Sequence, residues 1–333
     1  MAYRQPVRVD DDGDLRLIIG PDEWEFLVCS RSLSRVSRVF KCMLYGGFRE
    51  SRPVSDTESW VVKLPEDDSA AAKLLLDVIH ARFDGIPTTL PLAELYNVLV
   101  FTEKYDMTKV LRPWLQAWVT SLSALHESPD ISYAIGLARE LGAKDTLGRL
   151  ARRLIVDSGI NNEGQLVDAN KKLIEQPSMP LISSQLFENA ARIRMNYLHE
   201  IFKSLKEIIS NLQLVISTKA IRYCRKEGFR PDACHAMILG SIISGLSQLE
   251  LQAVWSTEET AGLTYPLSIN HLVNVIEKIH VTYMYDDHRN CNPIPVMLKE
   301  IEDLLASNEG YLTADNLAYV EKQREKLGEI VIS

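Results

Sequence analysis

A basic excess is the first thing missing. The 333 residues carry 37 Lys and Arg against 45 Asp and Glu, a formal net charge of −8. Binding along a nucleic-acid backbone draws on a cationic footprint, so nucleic acid is not an expected partner. Long apolar runs are missing too. The least charged stretch, residues 236–249, is interrupted by Ser, Gly and Gln. It falls short of the roughly 20 apolar residues a bilayer span needs, so no membrane partner is expected. The opening residues, MAYRQPVRVDDDGDL, hold no apolar core, and no secretory signal is expected there. Cysteine is sparse. Five residues, odd in number and widely scattered, fit a reducing compartment better than a disulfide framework. These absences together place the expected site of action inside the cell, in cytoplasm or nucleus.

Catalytic signatures are absent as well. The chain contains no GxxxxGK[ST], GxGxxG or GxSxG string. Asp10, Asp12 and Asp14 fit the first three ligand positions of a calcium loop. Leu15 stands where that loop requires glycine, and Pro21 where it requires glutamate, so a solvated leader is the plainer reading. His199-Glu200 begins a metalloprotease-like helix motif, but Lys203 replaces its second histidine. The carboxylate pairs Glu258-Glu259 and Asp286-Asp287 are adjacent and frame no pocket. Nothing supports catalysis, and the chain is read as a non-enzyme.

What is present is an ordinary globular composition, 46% hydrophobic and 25% charged. Its length suggests about two domains. Leu15, Leu17 and Ile19, then Trp24, Phe26 and Val28, alternate around Gly20-Pro21-Asp22 and predict a β-hairpin. The period then changes. Leu33, Val36, Phe40, Met43 and Leu44 keep helical spacing, with serines at 32, 34 and 37 able to cap. One short helix or two therefore follow, ending at Gly46-Gly47. Trp60, Val62 and Leu64 predict a third strand. Asp67 and Asp68 can cap a helix carrying Ala71, Leu74, Leu75 and Val78. Pro91 opens another with Leu95, Val98, Leu99 and Thr102 inward, and a last helix holds Val110, Leu111, Trp114 and Trp118.

The ordered series GDLRLIIG, FLVCSRSLSRVSRVFKCMLYGGFRES, VVKLPEDDSAAAKLLLDVIH and EKYDM resembles a BTB/POZ domain. With the tail described next, the whole chain is similar to uncharacterised fungal BTB proteins. The resemblance implies an α+β fold: a BTB/POZ domain over residues 12–122, in which helices flank a small sheet. A short helical extension over 128–175 and a mostly helical region over 184–333 would follow. It also implies a non-enzymatic adaptor or scaffold that binds other proteins. In adaptors of cullin-type ubiquitin ligases, a hydrophobic residue, any residue and an acid occupy the loop after the helix pair. Phe48-Arg49-Glu50 matches that pattern, which makes Phe48 and Glu50 candidate partner-binding residues. The alternative is a Phe48 that folds back onto the domain. Where the family usually has a histidine and a basic neighbour, this chain has Cys29 and Ser30, so a charged pocket around Asp14 lacks its usual partners. Thirteen residues precede Asp14. That leader is too short and too acidic for the strand and helix that BTB dimers exchange, and homodimerisation is left undecided.

Polar, proline-containing breaks fall at residues 123–130 and 175–184. Between them, Ala134, Leu137, Ala138 and Leu141, then Leu147, Leu150, Leu154 and Ile155, keep helical spacing. Beyond them, Ile201, Leu205, Ile208, Leu212 and Val215 form one long amphipathic stripe, read as core or as a coiled-coil surface. Leu298, Ile301, Leu304 and Leu305 form a smaller face, and Thr313, Asp315, Leu317 and Val320 a closing helix. The tail also holds Cys224, Cys234-His235 and His288-x-x-Cys291. Thiolate and imidazole in a set of four suit tetrahedral zinc, which could clip distant segments together. Buried free thiols are the alternative. Beyond that zinc, no cofactor is expected. A zinc-stabilised scaffold without a ligase link stands as the rival to the adaptor.

Overall fold

The alternating residues near the amino end form the hairpin that their spacing requires. In the computed structural model, the residues described are 5–54, 59–120, 130–174, 181, 184–217, 223–224, 231–251, 265–283, 286–306 and 311–328. The breaks expected at 123–130 and 175–184, the pair Glu258-Glu259, Tyr285 and the Val215 side chain fall largely or wholly outside that description. Among the described residues, β1 (Val7–Arg8), β2 (Leu15–Ile19), β3 (Trp24–Val28) and β4 (Val61–Leu64) form a mixed sheet in the order β1-β3-β2-β4. β2 and β3 are antiparallel, with Leu15 opposite Val28, Leu17 opposite Phe26 and Ile19 opposite Trp24. β4 runs parallel to β2, and β1 parallel to β3. β1 lies in the leader read as solvated; two residues are too few to show a period of two. Leu15, Leu17, Ile19 and Val28 are fully buried. Each such side chain contributes about 1.5–3 kcal/mol relative to exposure.

Two helices follow, α1 (Ser30–Val36) and α2 (Arg38–Tyr45), separated by Ser37 in extended backbone. The Ser37 hydroxyl caps α2 by accepting the Phe40 N–H at 2.9 Å, and donates to the Tyr105 carbonyl at 2.5 Å. Gly46 ends α2, and Gly47 takes φ +81°, a left-handed conformation that disfavours a side chain. Asp68 caps α3 (Ser69–Ile79) by accepting the Ala71 N–H at 2.7 Å. Pro91 precedes α4 (Leu92–Lys104), whose Leu95, Val98, Leu99 and Thr102 are buried. A 3-10 turn at Thr108–Leu111 leads into α5 (Arg112–Thr120). Tyr105 joins these pieces. Its ring stacks on Phe40 with centroids 4.3 Å apart, and its hydroxyl donates to buried Asp67 at 2.6 Å. Burial, then the bond to Asp67, holds that hydroxyl protonated far above its ordinary range.

The rest is mostly helical: α6 (Ile131–Glu140), α7 (Lys144–Asp157), α8 (Ser184–Ser217), α9 (Pro231–Gln248), α10 (Ile269–Glu277), α11 (Ile294–Ala306) and α12 (Ala314–Leu327). The chain is thus α+β, a small sheet near the amino end followed by a helical C-terminal region. By contacts it divides into one unit of Met1–Leu150, Pro177–Ile182 and Ala314–Ser333, and another of Ala151–Gln176 and Ser183–Thr313. Residues 131–150 and α12 therefore group with the sheet.

Two details depart from the sequence reading, and a third was outside it. A two-stranded ribbon, β5 (Gly159–Ile160) and β6 (Leu166–Val167), follows α7 where only helix was expected. Buried Arg194 of α8 braces its approach, donating to the carbonyls of Ser158, Tyr265 and Leu267. In α11 the buried stripe is Ile294, Met297, Ile301 and Leu305, leaving Leu304 39% exposed. In α12 it is Asn316, Val320, Gln323 and Leu327, so Leu317 faces outward and a polar residue faces in.

That inward Gln323 meets a buried carboxylate. Glu140, 1% exposed, accepts the Tyr319 hydroxyl at 2.8 and 2.9 Å and the Gln323 amide at 2.5 Å. Arg139 pairs with it at 2.8 Å and lies over the Tyr319 ring at 3.6 Å, while Glu103 faces the same cluster. Burial outweighs these donors and pushes the Glu140 carboxyl up to about 7. A carboxyl raised in the folded state favours folding while protonated; that contribution is whole below its ordinary value near 4.5 and is lost as pH rises through about 7. Glu140→Gln should therefore flatten the fall in stability between pH 5 and pH 8, and stabilise the protein at pH 8 by at most about 3 kcal/mol. Urea midpoints of both proteins at the two pH values check this.

Candidate metal centre and contact loop

Four of the five residues singled out in the tail converge. Cys224, Cys234, His288 and Cys291 are all buried, and their ligand atoms lie within 4.8 Å of one another. His288 Nδ1 is 3.5 Å from the Cys224 sulfur and 3.8 Å from the Cys291 sulfur. Around a tetrahedral zinc, with Zn–S about 2.3 Å and Zn–N about 2.0 Å, the nitrogen-to-sulfur edge is about 3.5 Å. The set is therefore close to the size of a tetrahedral thiolate–imidazole site. All four belong to the second unit.

Local geometry explains the selection. His288 and Cys291 lie three apart on a 3-10 turn, Asp286–Cys291. Residues at that spacing on such a helix project in the same direction, so His-x-x-Cys delivers both ligands from one turn. Cys234 and His235 sit in the first turns of α9. Adjacent helical residues point about 100° apart, so only one of them can face the centre. Cys234 does. His235, expected as a ligand, stands outside the set: its Nε2 accepts the Cys224 backbone N–H at 3.0 Å and fixes the segment that carries the first thiol. No further cysteine is needed at Tyr283, whose hydroxyl accepts from Asn292 at 3.2 Å.

The thiols crowd one another. Burial first, then Cys291 and Cys224, pushes the Cys234 thiol up to about 12. A divalent cation reverses that balance, because thiolates that are costly in an apolar pocket become its ligands.

The other predicted residues lie in the sheet-bearing unit. Phe48 follows Gly47 and is 62% exposed, so it does not fold back into the core. The Ser51 hydroxyl accepts the Gly47 N–H at 3.0 Å and donates to the Met43 carbonyl at 3.1 Å. Trp60 donates its indole N–H to the Glu50 carbonyl at 2.9 Å. The loop backbone is thus held from both sides while Phe48 remains mostly exposed. Phe48 and Glu50 border a groove of about 530 Å³ with Arg38, Val39, Cys42 and Met43 of α2. Sequence reasoning missed the brace; its one signal was a tryptophan just before a strand.

Asp14 makes neutral contacts. Its two oxygens accept the Ser30 backbone N–H and the Ser30 hydroxyl, each at 2.7 Å, and so bind the first residue of α1. Cys29 directs its backbone N–H to His80 Nε2 at 3.0 Å. The chain matches no protein-family model and no curated protein.

Cobalt(II) titrated into the reduced, metal-stripped chain should give one equivalent of a tetrahedral thiolate spectrum. Cys234→Ser should change that spectrum. His235→Gln should keep its shape but weaken binding by roughly 10–100-fold, the usual cost of losing an outer partner.

Proposed function

We propose that the chain is a non-enzymatic interaction module whose first unit is of the BTB/POZ kind and recruits other proteins, a cullin-type ubiquitin ligase scaffold among them. One observation carries this: a mostly exposed phenylalanine held on a braced loop, with an acid two residues on and a groove alongside. An apolar anchor beside a charge supplies binding energy and register to a protein contact. The element order supports the same reading, since a hairpin, two short helices and a strand parallel to the first hairpin strand precede the helices. Asp14 in neutral contacts fits a member that has lost the family's charged pocket. The reading predicts that immobilised wild-type chain retains a cullin, and that Phe48→Ala and Glu50→Lys each lower retention about tenfold or more. Equal retention by all three proteins, or none by wild type, contradicts it.

The Cys3His cluster favours a second, compatible reading, in which zinc stabilises the second unit. Three thiolates and one imidazole leave no coordination position open, the arrangement of structural sites. In this reading the chain is a zinc-stabilised scaffold, with or without a ligase link. Protein purified without added metal should carry one zinc per chain by elemental analysis, and Cys291→Ser should carry less than half of that.

A further inference from the structure

A second groove also borders α2. It encloses about 970 Å³ between α1 and α2, the 3-10 turn at Thr108–Leu111, and Lys326 of α12. Arg38 and Cys42 line both this groove and the one beside Phe48. Its charge is unlike that of the chain as a whole. Arg35, Arg38, Lys41, Lys109 and Lys326 line it, and Asp106 is its single carboxylate, in a protein of net charge −8. Lys326 is paired with Glu103 at 3.6 Å. Arg35, Arg38, Lys41 and Lys109 are exposed, and among the described residues none of the four makes an ion pair. The groove also has apolar lining in Val36, Tyr45 and buried Met107.

We propose that this groove docks an acidic segment of a protein partner, its carboxylates facing Arg35, Arg38, Lys41 and Lys109 and an apolar side chain resting on Val36 and Met107. Charge complementarity selects the partner: four uncompensated cations concentrated in one concave strip attract a short anionic segment. One feature favours a peptide over nucleic acid: the apolar lining of Val36 and Met107 gives a side chain something to cover. Exposed pairs are weak singly, so recognition comes from several acting together and falls as salt rises. The inference rests on the first unit being an interaction module, but it does not require a cullin or the Phe48 anchor.

Selection from a random peptide display library on the immobilised full chain tests the proposal. The expected peptides are enriched in Asp and Glu, bind more weakly at higher salt, and lose about tenfold affinity for the Lys41→Glu/Lys109→Glu protein while binding Phe48→Ala as they bind wild type. Should the double variant melt lower than wild type, Arg35→Gln/Lys109→Gln carries the same comparison. Selected peptides without acidic enrichment, equal binding to the charge-reversed protein, or no selectable peptide would each overturn it. So would a single-stranded oligonucleotide that binds the groove more tightly than the selected peptides. Loss of cullin retention alone, with acidic peptides still bound, would count against the cullin contact and leave the groove assignment standing.

Discussion

The buried face of β2 is the constraint on which the first unit depends. Leu15, Leu17 and Ile19 all point inward, and a shift of one residue in pairing would put Arg16 and Ile18 in their place. That face sets the register with β3, and β4 takes its place along the other edge of β2. The helices then cover the sheet with their own apolar stripes. Three of the polar groups buried in the process are matched: Tyr105 to Asp67, Ser37 to the Tyr105 carbonyl, Glu140 to Tyr319 and Gln323. Unmatched, each would cost about 1–3 kcal/mol. The residues left outside this arrangement, Phe48 and the cations around α2, are those proposed to meet partners.

The second unit rests on different means. Its long helix α8 buries Ile201, Leu205, Ile208 and Leu212 and packs against α9, so the stripe is spent within the unit. The remaining order centres on the Cys3His cluster, which draws together residue 224, the start of α9 and the turn before α11. Cys234 and His288 lie 54 residues apart, and closing a loop of that length is where a metal clip would stabilise most.

Much of this was legible in the sequence, for reasons that differ by element. The hairpin and α1–α5 could be read because burial of one face leaves a period of two or of 3.6. The split at Ser37 stays open in the sequence, since serines at 32, 34 and 37 can each cap and spacing does not choose among them. The ribbon β5–β6 was not legible, because two-residue strands carry no period and are fixed by their surroundings. The closing helix α12 is legible, but its buried stripe is not, because Gln323 faces inward to meet Glu140 and a hydrophobic pattern cannot announce a buried amide. At the Cys3His cluster, the thiols and His288 could be named from residue type. That His235 belongs to the outer layer follows only from helix geometry beside Cys234. The basic groove escaped notice because Arg35, Lys41, Lys109 and Lys326 are far apart in sequence and assemble only when α1, α2, the 108–111 turn and α12 meet.

Burial closes the first unit, and the metal proposed at the Cys3His cluster would close the second. Residue-resolved hydrogen exchange with and without a zinc chelator tests it most directly. The account predicts that chelation strips protection from α9 and α11 around Ile238, Ile242 and Ile301, and leaves Leu17, Val62 and Leu75 protected. Unchanged protection of α9 and α11, or equal loss across both sets, would contradict it.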